Sequence, residues 1–490
     1  MRQQTWLWAV IVGGAIVGLG CADDSTSGTP ESTPVVVAAV TPAAKAKPSR
    51  TLSPNTRFSV RVPDQDAVKQ IAGELKGRDL RDALKLSAMA ATPQAEWFTS
   101  GTPQQVQADV DKTMCQADLT RTVPVLVAYN IPFRDCAQYS AGGALDTASY
   151  EAWIDGFAAG IGKRKAVVIL EPDSLGIVPW IGDWCQPTVT DAAGNTTHAP
   201  GADPATRYAQ LNYAVDKLAA AAPNALVYLD GTHSGWLNVG DVSTRLASAG
   251  VARAEGFFLN ISNYQITGNL AQYGTWISEC LAYATSVTPG DFASCPNQYW
   301  NGGPLPSLIA QINGEWNGTA LDGYGAWSDT STTIDLNTSG INLRYANMLG
   351  TTAATARFII DTSRNGHGPL NGAQYAAAPY DQPASAQAGL TSGDWCNPPG
   401  AGLGLRPTAN TGVALLDAYL WVKVPGESDG SCDIAGGARA WDYTQYNPWA
   451  LTGDAQNHFD PLWGMVDPAA GLWFPQQALQ LAQNAVPPLL

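Results

Sequence analysis

Three short segments of this sequence place a carboxylate just beyond a run of β-rich apolar residues. In the first, Val123–Tyr129 leads to Asn130 and then to Arg134, Asp135 and Ser140. In the second, Val167-Val168-Ile169-Leu170 leads to Glu171-Pro172-Asp173. In the third, Trp421-Val422 leads to Lys423 and then to Gly426-Glu427-Ser428-Asp429-Gly430. Breaking an acetal between two sugars needs two carboxyl roles at one carbon. One group must be protonated to give a proton to the leaving oxygen, and the other must assist a water or attack directly. A second carboxylate nearby is a simple way to raise the pKa of the first, because two adjacent negative charges repel. Blander readings exist for each residue alone. An Asp after a strand can simply cap the next helix, and Arg134 with Asp135 can be a buried ion pair. Gly426–Gly430 also fits the G-x-S-x-G turn of serine hydrolases. That turn must open a helix, and Ser431-Cys432-Asp433-Ile434-Ala435-Gly436-Gly437 is a poor one.

The elements that must position these groups recur along the chain. Apolar runs lie at Ala95–Thr99, Val123–Tyr129, Ala166–Leu170, Ala225–Leu229, Gly256–Leu259, Ala356–Ile360 and Asp417–Val422. Helix-like stretches, such as Gln104–Thr113, Tyr150–Ile161 and Ala205–Ala222, separate several of them. Strands alternating with helices predict an α/β fold with a parallel sheet, open or closed into a barrel. Polar residues end six of the runs: Asn130, Glu171, Asp230, Asn260, Asp361 and Lys423. In parallel α/β barrels these strand ends and their loops build the active site. Six polar ends aimed at one mouth suit a polar substrate better than six separate caps.

Composition narrows the class. The chain has 490 residues, with Lys+Arg 27 against Asp+Glu 42 and a formal net charge of −15. That argues against a nucleic-acid partner, whose backbone needs basic surface. Hydrophobic residues at 45% supply a large core and exclude wholesale disorder. Trp, at 17, outnumbers Phe, at 10, and indole faces stack on the apolar faces of sugars as well as filling cores. Four His argue against a His-rich metal site, so no cofactor is expected.

Arg2 and the apolar run from Trp6 to Gly20 read as a signal peptide over residues 1–21. Cys21 closes that run as it does in bacterial lipoproteins, so lipid anchoring to a membrane and plain export are equal readings. Residues 22–55, rich in Ser, Thr, Pro and Ala, read as a linker, and 56–490 as the catalytic domain. The other cysteines are 115, 136, 185, 280, 295, 396 and 432. In an exported protein such residues are usually paired. Seven is odd, and Cys115, with no close loop partner, is expected to carry the spare thiol.

Taken in order, these motifs resemble glycoside hydrolase family 6, the inverting cellulases that cut β-1,4-glucan. Arg134-Asp135-Cys136, Glu171-Pro172-Asp173, Leu229-Asp230-Gly231-Thr232-His233-Ser234-Gly235-Trp236, Asn260–Tyr264, Asp361–Gly366, Trp395-Cys396-Asn397 and Lys423–Gly430 all match family segments. The match runs from about residue 95 to about 480. It implies a distorted, TIM-like parallel β/α barrel of about seven strands with long active-site loops.

The resemblance also implies roles. Asp173 would be the general acid and Asp135 the neighbour that raises its pKa. Tyr129 would crowd the reacting sugar, Ser140 would hold the attacking water, and Asp429 would be the other carboxylate proposed as base. Trp236, Trp395 and Trp97 would be stacking platforms, and Lys423 and Glu427 sugar contacts. Asn260, Arg134 and Asp230 join the substrate site, with Asp230 acting structurally or electrostatically. Read from the residues themselves, and not from the resemblance, Asp361 and Arg364 would form a structural pair, His233 a scaffold, and Glu171 a buried hydrogen-bond partner. The implied disulfides are Cys136–Cys185 and Cys396–Cys432, with Cys280–Cys295 an extra bridge.

Three long segments, 180–204, Asn260 to Arg357, and 368–394, exceed what strand crossovers need and read as lids. They point to an exo-acting cellulase that releases cellobiose from non-reducing ends. An endoglucanase is the alternative, and a non-catalytic glucan-binding protein the rival from another class. No separate carbohydrate-binding module is expected, since only Gln483-Asn484-Ala485-Val486-Pro487-Pro488-Leu489-Leu490 follows the matched region.

Overall fold

The computed structural model describes residues 52–136, 138–305 and 317–490. The readings of a signal peptide, of a lipid anchor at Cys21 and of most of the linker fall outside them. Nine strands are described: β1 (Glu96–Phe98), β2 (Val125–Ala128), β3 (Val167–Leu170), β4 (Thr188–Thr190), β5 (Thr196–His198), β6 (Leu226–Asp230), β7 (Gly256–Leu259), β8 (Arg357–Asp361) and β9 (Leu416–Leu420). Seven of them form one sheet in the order β1-β2-β3-β6-β7-β8-β9, and every neighbouring pair is parallel. All seven lie where apolar runs predicted strands. The remaining pair, β4 and β5, makes an exposed antiparallel hairpin.

The sheet curls so far that its edges nearly meet. The Ala95 N–H donates to the Trp421 carbonyl at 3.0 Å, and the Trp97 indole donates to the Val422 carbonyl at 2.8 Å. These bonds join the β1 edge to the residues leaving β9. The result is a distorted, TIM-like barrel of seven strands.

Alternation along each strand splits the core into two layers. Val125, Val127, Val167, Ile169, Tyr228, Phe258, Ile359 and Ala418 fill the barrel interior. Leu126, Val168, Leu170, Leu229, Phe257 and Phe358 face outward against the helices. Both faces are therefore buried, which is why the strands read as continuous apolar runs rather than alternating ones. Leu52 already packs in the interior layer, so the folded body begins before residue 56.

The three helices predicted from sequence are Pro103–Thr120, Thr147–Ile161 and Pro204–Ala221. The first is longer than expected. Thr102 and Gln105 form a capping box at its start, Pro103 sits in its first turn, and Arg121 ends it in the left-handed conformation. Two helices that the sequence reading did not single out, Gln65–Gly77 and Leu80–Ala90, precede β1. Ile71, Leu86 and Met89 from them pack with Ala478 and Leu481 of the final helix, Pro475–Gln483.

The disulfides Cys136–Cys185, Cys280–Cys295 and Cys396–Cys432 are all formed. Cys115 is disulfide-bonded as well, which corrects the expectation of a spare thiol there. Among the described residues no cysteine is free, and no helix is long and apolar enough to cross a membrane.

Candidate active site

The site lies where the strands end, and the backbone there is held in unusual conformations. Asp135, Glu171 and Asp173 all have positive φ, at 44°, 53° and 65°. Non-glycine residues adopt this region at a cost of about 1–3 kcal/mol each and persist only where the surroundings enforce it. Two buried side chains do the enforcing. The Glu171 carboxylate, at the end of β3, accepts the Asn130 and Ile131 N–H groups at 2.9 and 3.0 Å, tying the β3 loop to the β2 loop. Arg207, from helix Pro204–Ala221, donates to the carbonyls of Pro132 (2.7 Å), Ser174 (3.0 Å) and Ile177 (3.1 Å). Burial pushes the Glu171 carboxyl up to about 7, as befits a partner rather than an acid in the cavity. Arg207 was not singled out from sequence, because nothing marks it within an ordinary amphipathic helix.

On this scaffold four side chains form one hydrogen-bonded chain. The Tyr129 hydroxyl donates to Asp173 Oδ2 at 3.1 Å and lies 3.0 Å from Ser140 Oγ. Ser140 in turn donates through both its backbone N–H (3.0 Å) and its hydroxyl (2.5 Å) to Asp135 Oδ2. Burial, then the negative charges of Asp135 and Asp230, hold the Asp173 carboxyl well above the usual range. Burial also raises Asp135, to about 6, against the Ser140 bonds that favour its ionised form. Asp173 is thereby set up as a neutral acid.

Asp429 has the opposite environment. Arg364 grips it bidentately at 2.8 and 2.9 Å. The Asn397 N–H (3.0 Å), the Tyr264 hydroxyl (3.2 Å) and Lys423 Nζ (3.3 Å) complete its shell. Burial alone would raise its pKa, but Arg364 and Lys423 outweigh burial and hold it below the usual range. Asp429 is a fixed anion with its lone pairs engaged. Arg364 itself lies over the Tyr264 ring at 4.5 Å.

These groups open into a cavity of about 850 Å³, which Trp97, Trp236, Trp395, Lys423, Glu427 and Arg134 also line. Trp97 meets the Tyr129 ring edge-on at 5.4 Å. Trp236 packs so closely over Gly176 that a Cβ there would come 2.3 Å from the indole. Glu427 is gripped by Arg61 at 2.9 Å. His233 lines the wall, and burial lowers its pKa to about 3, so it is neutral there.

Three expectations are corrected, and the structural or electrostatic role expected of Asp230 is located beneath the cavity floor. Asn260 does not line the cavity. It is fully buried, and its side chain bonds the Asp361 and Asn263 carbonyls (2.9 and 3.1 Å) and the Gln265 N–H (3.0 Å). Asp230 likewise lies beneath the floor, accepting the N–H groups of Thr232, Leu175 and Gly176. Its pKa, raised to about 6 by burial, marks it as an electrostatic neighbour of Asp173 and not as a sugar contact. Asp361 and Arg364 do not pair: Arg364 turns to Asp429, while Asp361 accepts backbone N–H groups from Ser262, Ser363, Val422 and Lys423. Arg134 directs its guanidinium to the carbonyls of Thr99, Tyr129 and Ser140 rather than to Asp135. Ser428 is no nucleophile either, being fully buried with its hydroxyl on the Pro468 carbonyl at 2.7 Å.

A buried cluster of Cys432, Asp460 and Asp467 has metal-like spacing but lacks the ligand chemistry. Cys432 is in a disulfide, and Arg439 occupies both oxygens of Asp460 at 3.0 Å.

Comparison with known proteins agrees with this architecture. A sequence model of glycosyl hydrolases family 6 matches residues 54–485. Endoglucanase A of Thermobispora bispora is 30% identical over 369 residues, 75% of this chain and 57% of that protein's length. A probable 1,4-β-D-glucan cellobiohydrolase C of Neosartorya fischeri is 26% identical over 423 residues, 82% of this chain and 72% of that protein. Among solved structures, the endoglucanase Cel6 from Mycobacterium tuberculosis superposes with a TM-score of 0.53 at 27% identity, covering 88% of this chain and 97% of that one.

Proposed function

Since the chain belongs to family 6 of the glycosyl hydrolases, we propose that it hydrolyses β-1,4-glucosidic bonds of cellulose with inversion, releasing cellobiose from the non-reducing end. The observation that carries this reading is the chain Asp173–Tyr129–Ser140–Asp135 at the floor of a tryptophan-lined cavity. Asp173, kept protonated by burial and by Asp135, gives its proton to the leaving glycosidic oxygen. A water held by Ser140 attacks from the opposite face and passes its proton to Asp135, whose raised pKa suits that task. Asp429 is a poor nucleophile and a poor base, because its oxygens are bound by Arg364, Asn397, Tyr264 and Lys423. It acts instead as a fixed charge beside the developing oxocarbenium ion. Trp97, Trp236 and Trp395 stack on pyranose faces, and Lys423 and Glu427 bind hydroxyls. The relative from M. tuberculosis was solved with methyl-cellobiosyl-4-deoxy-4-thio-β-D-cellobioside, which supports a cello-oligosaccharide ligand.

The exo mode is supported by the long segments, since each sends residues to the cavity wall: Trp184 from 180–204, Tyr299 and Tyr324 from the stretch before β8, and Asp394 from 368–394. Internal cleavage is the second reading, favoured by the endoglucanase names of the T. bispora and M. tuberculosis relatives. Export is supported by three disulfides in the folded body. Time-resolved products from cellohexaose, together with the viscosity of a soluble cellulose derivative, test the mode. Cellobiose as the dominant early product with slowly falling viscosity supports exo cleavage. A rapid viscosity drop with mixed lengths means the endo mode.

A further inference from the structure

A short segment ahead of the first helix reaches both edges of the curled sheet. It is held first beside the start of β2. The Val123 N–H donates to the Arg57 carbonyl at 2.8 Å, the Ser59 N–H donates to the Val123 carbonyl at 3.0 Å, and Phe58 packs in the interior layer. Two residues on, Arg61 spans the seam between β1 and the residues leaving β9. Its Nε stands 3.5 Å from Glu96 Oε2 on β1, and its Nη1 donates to Glu427 Oε1 at 2.9 Å. Asp64 then caps helix Gln65–Gly77, so the backbone is fixed on both sides of Arg61.

The two acids that Arg61 meets have different places. Trp97 packs on the interior layer, so its neighbour Glu96 faces the other side of the strand, away from the cavity. Glu427 lines the cavity, and Arg61 stands behind it without lining the cavity itself. Among the described residues no hydrogen bond reaches Glu427 Oε2, so that oxygen is available to a sugar hydroxyl. The same N-terminal unit also steadies the Glu427 backbone. Glu427 bridges to Trp473, whose indole donates to Gln70 of helix Gln65–Gly77 at 2.8 Å.

An arginine in this position does two things. Its charge-assisted hydrogen bond holds a flexible glutamate in one geometry, with one oxygen toward the seam and the other toward the cavity. It also stands between two acids. Without it Glu96 and Glu427 would face each other across the seam, where like charges repel. Burial pushes the Glu96 carboxyl up, Arg61 opposes that rise, and the charge of Glu427 adds to it. Arg61 and Glu427 are each only 18% exposed in their side chains, so water would replace the lost partner poorly.

We propose that Arg61 is a positioning residue for substrate binding: from outside the cavity it aims Glu427 at a sugar hydroxyl. The inference rests on the proposed function. The test measures kcat and KM on cellohexaose for wild type, Arg61→Gln, Arg61→Lys, Glu96→Gln, Glu427→Gln and the double variant Arg61→Gln/Glu427→Gln, with melting temperatures as a check on folding. Arg61→Gln should raise KM about tenfold with kcat within about threefold of wild type, and Arg61→Lys should recover most of the loss. Glu96→Gln should keep a KM near wild type, since Glu427 keeps its partner. The double variant should be no worse than Glu427→Gln, because Arg61 acts only through that residue. Losses that multiply in the double variant would overturn the proposal, as would an unchanged KM in Arg61→Gln or in Glu427→Gln. Equal losses in Glu96→Gln and Arg61→Gln, or an Arg61→Gln that fails to fold where Glu427→Gln folds, would assign Arg61 to closing the barrel seam and overturn it too. A wild type inert toward every cello-oligosaccharide would sink the functional reading and this inference together, whereas any of the other adverse results in an active enzyme would sink this inference alone.

Discussion

The mouth of the barrel has two acidic halves of opposite character. Beyond β2 and β3, Asp173 and Asp135 are half-buried in the cavity wall with a tyrosine and a serine between them, and desolvation raises both carboxyls. Beyond β8 and β9, Asp429 is just as enclosed, but an arginine, a lysine, a tyrosine and a backbone N–H surround it, and its pKa is lowered. Burial is common to both, so burial does not decide protonation. Partners do. In the proposed mechanism one half stores a proton for the leaving group, and the other a negative charge for the cation that forms.

The sharpest way to break this comparison is to mutate one side at a time. Asp173→Asn should lower kcat on cello-oligosaccharides by about 10²–10⁴-fold, the range for loss of a general acid, as steady-state kinetics would read. It should leave stability intact or slightly higher, because a carboxyl raised by burial disfavours folding at neutral pH. Arg364→Ala should do the reverse to the fold. It strands a buried carboxylate, a change that typically costs about 3–5 kcal/mol, and urea denaturation would show it. If Asp173→Asn destabilised as much as Arg364→Ala, the two halves would not differ as described.

Ser140→Ala should have a smaller effect. It removes a charge-assisted hydrogen bond to Asp135, about 1.5–3 kcal/mol, so kcat should fall roughly ten- to a hundredfold. Its pH–rate profile should change on the limb set by Asp135, whereas a merely structural loss would lower the whole profile without moving it.

The two halves also predict opposite stability trends with pH. Glu171, Asp135 and Asp230 are raised to about 7, 6 and 6. Their contribution to folding is full below about pH 4, near the unfolded values, and is lost as pH rises through 6–7. Asp429, lowered by its partners, contributes above its unfolded value and loses that contribution as pH falls through its lowered one. Melting temperature should therefore peak on the mildly acid side and drop on the order of 5 °C by pH 8. A maximum at alkaline pH would contradict the assignment.

The smallest expected effect lies where the halves are latched together. The Tyr139 hydroxyl donates to Asp433, whose carbonyl and Oδ1 both lie at 3.0 Å, and its ring fills space that Gly430 and Gly436 leave open. Tyr139→Phe keeps the ring and loses one hydrogen bond, about 1 kcal/mol, so kcat should fall only about two- to fivefold.

Much of this site was legible in the sequence, for a physical reason. Strands buried on both faces appear as apolar runs, and the first polar residue after each run marks the mouth. Lys423 was placed in this way, and Asp173 lies two residues beyond Glu171, the polar end of its run. What was not legible depends on pairing across distance. Nothing local announces that Arg364 reaches Asp429 rather than Asp361, or that Arg207 holds the carbonyls of Pro132 and Ser174. Asn260 and Asp230 follow their strands as the cavity residues do, yet their side chains turn to backbone groups beneath the floor. Residue type at a strand end reveals the mouth, but not which side of the floor a group lies on.

The central claim is that Asp173 delivers the proton in a single displacement by water. Proton NMR of the first product from cellohexaose, for wild type and Asp173→Asn, tests it most directly. The account predicts the α-anomer from wild type and almost no product from the variant. A β-anomer, or a variant that still turns over at the wild-type rate, would contradict it.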